Sequence, residues 1–79
     1  MAQISLGSLK KIEKQRNVIH DKVDTTYTVF EMGGKKYVQF DTYGRVDREN
    51  PEKISQSFQL DKEVASFIVK LLIDEFNLK

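Results

Sequence analysis

The sequence predicts an α+β domain in which strands come first and one amphipathic helix comes last. Two observations carry this expectation. "DTTYTVFEMGGKKYVQFDTYG", Asp24 to Gly44, alternates apolar and polar residues, meets two glycines, and alternates again. "DKEVASFIVKLLIDEFN", Asp61 to Asn77, has helical spacing behind a capping residue. The 79 residues are expected to form one domain, residues 1–79.

In chain order, Gly7 and Ser8 interrupt an apolar start. Leu9 to Ile19 is charged, and Leu9, Ile12, Val18 and Ile19 fit helix or strand equally by periodicity. "DTTYTVFEM" is rich in β-branched and aromatic residues and reads as a strand. Gly33-Gly34 reads as a two-residue hairpin turn, because glycine accepts the positive φ of primed turns. The returning strand is "KKYVQFDTYG". That turn sets Met32 against Lys35, Phe30 against Tyr37 and Thr28 against Gln39 on one face. The other face pairs Val29 with Val38 and Tyr27 with Phe40, and is the better core. Glu31 and Lys36 are expected to form an ion pair at its rim.

"RVDRENPEK" reads as a charged loop with the only proline. "KISQSFQL" alternates, with Ile54, Phe58 and Leu60 inward and Lys53, Ser55, Ser57 and Gln59 outward; Gln56 is a polar exception. Asp61 suits an N-cap. The helix behind it is apolar over roughly two-thirds of its circumference, against the stripe of about 100° or somewhat more that a surface helix presents. One sheet cannot cover such an arc. A second copy is the expected partner, through Val69, Leu72, Ile73 and Phe76, because closed two-fold dimers are the commonest assembly.

Composition narrows the function. A chain this short buries only about 60% of its unfolded surface and needs a further aid. There is no Cys and one His, so disulfides and Cys-based zinc sites are excluded, and oligomerisation is the aid left open. No metal or cofactor is expected, and no small-molecule substrate. His20 beside Asp21 and Asp24 reads as a solvated turn. Asp47, Glu49 and Glu52 alternate with Arg45, Arg48 and Lys53, which would oppose a cation. "GSLKK" and "GGKK" lack phosphate-loop spacing. An enzyme is not expected. The start of the chain lacks signal-peptide form and no stretch could span a membrane, so a cytoplasmic protein is the expectation.

The net charge is +1, with the basic excess at the front: Lys10, Lys11, Lys14 and Arg16 against Glu13. The outer sheet face offers Phe30, Tyr37 and Tyr43 for stacking, Lys35 and Lys53 for phosphate, and Thr28, Gln39, Ser55, Ser57 and Gln59 for hydrogen bonds. Single-stranded nucleic acid is held by such rings under bases and cations along the backbone. Asp41 lies on the same face and opposes a uniformly anionic ligand. The rival for this face is ordinary solvent-exposed sheet.

The stretch from Lys35 to Phe76, "KKYVQFDTYGRVDRENPEKISQSFQLDKEVASFIVKLLIDEF", resembles the ending of the PC4-like transcriptional coactivators and their bacterial relatives. An aromatic strand leads to a charged loop, a short strand and an acid-capped amphipathic helix. PUR domains share this ββββα plan, and Whirly proteins expand it. The resemblance covers roughly residues 24–78. It implies a four-stranded antiparallel curved sheet followed by one C-terminal helix, with Leu9 to Ile19 as the first strand. It further implies a homodimer that binds single-stranded DNA or RNA with little sequence preference, in transcription, replication or repair. The positions it points to are Lys10, Lys11, Lys14, Arg16, Phe30, Lys35, Tyr37, Gln39, Tyr43, Arg45 and Lys53. The alternative is a dimeric protein-interaction or inhibitor module that binds no nucleic acid.

Overall fold

A computed structural model of the chain describes residues 1–44 and 53–79. The expected charged loop, apart from Lys53, therefore falls outside the described residues, Arg45 with it. Strands β1 (Ala2–Gln3), β2 (Thr25–Met32), β3 (Lys35–Tyr43) and β4 (Ile54–Leu60) form one sheet in the order β1-β4-β3-β2, and helix α1 (Lys62–Phe76) follows.

The hairpin forms as its glycines require. Gly33 and Gly34 sit at φ +61° and +79°, the left-handed values of a primed turn. The register is the expected one, with Phe30 opposite Tyr37, Thr28 opposite Gln39, Val29 opposite Val38 and Tyr27 opposite Phe40. Glu31 opposes Lys36 but does not close into an ion pair, and both remain exposed. β4 pairs antiparallel with β3, setting Asp41 against Ser57 and Gln39 against Gln59. A register shift at Thr42/Tyr43 brings Tyr43 opposite Ile54.

The first strand is not where it was expected. Residues 10–24 adopt neither strand nor helix. Their apolar residues, Ile12, the pair Val18-Ile19, and Val23, are set apart by charged and polar runs at 13–17 and 20–22 and present no continuous face to bury, and all four are exposed. The edge beside β4 is taken instead by Ala2 and Gln3, which run parallel to it, and Ile4 N–H extends the pairing by donating to Gln59 O at 3.0 Å. The sheet is therefore mixed rather than antiparallel throughout.

One residue separates β4 from α1. Asp61 accepts from Val64 N–H through its side chain at 2.9 Å, and its carbonyl accepts from Ala65 N–H at 2.9 Å, fixing the direction in which the helix leaves. Asn77 closes it in the left-handed conformation. The helix packs on β4 and on a short 3-10 turn, Leu6–Ser8. Among the described residues Leu60 and Val64 are the only buried hydrophobic side chains. The sheet face expected to be the core is covered at Leu60 and half-covered at Val38 and Phe40, but its β2 side is bare within one chain, with Tyr27 69% and Val29 54% exposed.

Candidate nucleic-acid interface

Strand alternation sends Thr26, Thr28, Phe30 and Met32 of β2 to the outer face, with Lys35, Tyr37, Gln39, Asp41 and Tyr43 of β3 beside them. β4 adds Ser57 and Gln59. Phe30 and Tyr37 stack across the hairpin with centroids 5.5 Å apart and planes 24° from parallel, and both stay partly exposed. A groove of about 460 Å³ lies against this pair, lined by Gln3, Phe30, Met32, Gly33, Tyr37 and Gln59. Gln3 and Gln59 also line a second hollow of about 240 Å³, with Gln39 and Ser57. The two hollows thus meet along the β1–β4 edge.

A polar chain forms the floor. Gln59 Nε2 donates to Gln39 Oε1 at 2.7 Å, and Gln39 Nε2 donates to Asp41 Oδ1 at 2.9 Å. Ser57 Oγ donates to the same carboxylate oxygen, and both Asp41 and Ser57 are buried. The Ser57 and then the Gln39 hydrogen bond hold the Asp41 carboxyl below its ordinary range, against the opposing pull of burial. An ionised carboxylate only accepts, so it orients both carboxamides in series. Tyr43 Oη shares a hydrogen bond of 3.1 Å with Thr26 Oγ1 at the far end of the face.

The expected site residues divide. Phe30, Lys35, Tyr37, Gln39 and Tyr43 share one face. Lys53 is exposed in a bend just before β4. Lys10, Lys11, Lys14 and Arg16 are exposed on the irregular segment, where Lys11 Nζ lies 3.8 Å from Glu13. They do not belong to a strand of this sheet. Gln3 is a groove residue that sequence reasoning missed, because a two-residue strand carries no alternation. Sequence reasoning also missed the exposure of Tyr27 and Phe58, which flank the half-buried Phe40. These three rings run in a row across β2, β3 and β4 on the inner face, with centroids 6.3 and 5.3 Å apart.

No group of three metal-ligating side chains lies among the described residues, and no described helix is long and apolar enough to cross a membrane. No protein-family model, curated protein or solved structure matches the chain significantly.

Proposed function

We propose that the protein is a homodimer that binds single-stranded DNA or RNA on its outer sheet face, with little sequence preference and without catalysis. The observation that carries this reading is the partly exposed Phe30–Tyr37 pair bordering an open groove floored by carboxamides. Rings offer a surface on which any base can stack, and carboxamides donate and accept equally. Lys35, opposite Met32 at the turn end of the hairpin, offers this face a cation for a phosphate.

The test is a titration of labelled oligo-dT at low salt. A Tyr37→Ala change removes one stacking surface, about 1–3 kcal/mol per base, a factor of roughly 5 to 160 in affinity. It acts alike on all sequences. Absence of binding at low salt and high protein concentration rejects the reading. The salt dependence reports which cations take part. Each neutralised phosphate contributes a slope of about −0.7 on single strands. Lys35 alone gives about that value per chain, and engagement of the four basic residues at 10–16 steepens it to about −3.5.

A second reading, a dimeric protein-interaction or inhibitor module, is favoured by the scatter of positive charge away from the outer face. Under it, oligonucleotides fail to bind while a stoichiometric protein partner is retained.

A further inference from the structure

We infer that the inner sheet face is the seat for helix α1 of a second copy, each helix lying on the other chain's sheet. This deepens the dimer part of the proposed function and holds whatever the outer face binds.

The chain exposes more surface than a compact protein of its mass. A compact protein of 9.2 kDa exposes about 4,900 Å². This chain exposes 7632 Å², roughly 2,700 Å² more than that scaling gives. Its Cα radius of gyration is 14.9 Å, where about 12 Å is usual for 79 residues. A standard stable interface takes only about 800 Å² from each partner. The irregular segment 10–24 contributes to the excess, and so do the exposed apolar side chains of β2 and α1.

The bare parts of the sheet and helix also match in chemistry. The inner face presents the Tyr27–Phe40–Phe58 row with Val29 and Val38, and its charged pair, Glu31 and Lys36, sits out at the hairpin rim. Such a surface suits an apolar helix and offers little to a polyanion. Around α1, at about 100° per residue, Val64 and Ile68 form the line held by the chain itself. Phe67 and Leu71 stand on one flank of that line, and Val69, Leu72, Ile73 and Phe76 on the other. All six are exposed, Phe76 at 69%. Two free flanks call for two partner surfaces. In a two-fold pair the broader flank of Val69, Leu72, Ile73 and Phe76 lies on the mate's sheet, and the flank of Phe67 and Leu71 meets the mate's helix.

The chain by itself leaves the β2 side of its inner face bare. The single-residue junction at Asp61, capped through both its side chain and its carbonyl, holds α1 against β4 and away from β2. The segment 10–24 carries too few apolar residues, widely spaced, to replace a helix. A helix of 15 residues is about 22 Å long, enough to cross strands spaced about 4.8 Å apart.

The chain has no cysteine, so introduced thiols report cleanly. Val29→Cys and Leu72→Cys are made separately, mixed, dissociated in denaturant, refolded together and treated with a short bismaleimide. Sedimentation of the untreated protein gives its mass. A dimer with a 29–72 crosslink between the two variants is the expected result, since that product can only arise between chains. A dimer giving only 72–72 products means helix against helix alone; it overturns this inference and leaves the dimer standing. A monomer at micromolar concentration overturns both. Should either variant fold poorly, the same mixture of Tyr27→Cys and Phe76→Cys asks the same question.

Discussion

At the residue scale the unusual group is Asp41. Its partners both donate to one oxygen, and it is the sole acid in a floor otherwise made of carboxamides and a hydroxyl. Its folded pKa is depressed, so the stability it contributes is present above the ordinary carboxylate value. That contribution disappears as pH falls through the lower, folded value. We expect the urea midpoint to drop on acidification below about pH 4, and Ser57→Ala, which removes the larger cause, to flatten that drop. An unchanged profile in the variant would mean Ser57 does not hold the carboxylate. The same geometry predicts that Asp41→Asn disturbs the groove more than its size suggests. An amide can donate where a carboxylate cannot, so Gln39 and Gln59 lose their fixed direction. Oligonucleotide affinity is then expected to change with little change in fold, measured by titration beside circular dichroism.

At the element scale, two local devices are open to direct measurement. Asp61→Ala leaves Val64 N–H without its cap and is expected to cost about 1 kcal/mol, read from the urea midpoint at fixed protein concentration. Gly34→Ala meets nothing within 4 Å, so its cost is backbone conformation alone, about 1–2 kcal/mol at φ +79°. These were the elements most legible in the sequence. A Gly-Gly turn fixes register by itself, and alternation then assigns every side chain on β2 and β3 to a face. An acidic cap before an unbroken apolar period fixes α1. Short range fails where pairing is set from far away. Ala2 and Gln3 join the sheet only because β4 leaves an edge free, and nothing in two residues announces that. The resemblance implies a strand over Leu9 to Ile19, yet five charged or polar residues, 13–17, separate Ile12 from Val18 and leave no alternation to bury. The aromatic face of the candidate site was legible from alternation. The hydrogen-bonded chain from Gln59 to Asp41 was not, because it depends on the offset between β3 and β4.

At the scale of the whole molecule, the sheet separates two kinds of surface, and the separation is testable as a pair of opposite outcomes. Phe30 and Tyr27 are aromatic residues on the same strand, three positions apart and therefore on opposite faces. If the inner face is buried between copies, Tyr27→Glu sets a carboxylate in an apolar interface with no partner, a costly placement. It should dissociate the dimer, or unfold a chain that depends on pairing. Phe30→Glu puts the same charge on the outer face, where it should leave the mass unchanged and repel an anionic strand. Association also ties stability to mass action, so the parent melting temperature should climb with protein concentration, and more steeply than that of any dissociated variant. If both substitutions spare the dimer, or if the melting temperature ignores concentration over a hundredfold range, then the bare inner face has no second copy on it. In that event the row of three rings would itself become the surface most in need of a ligand.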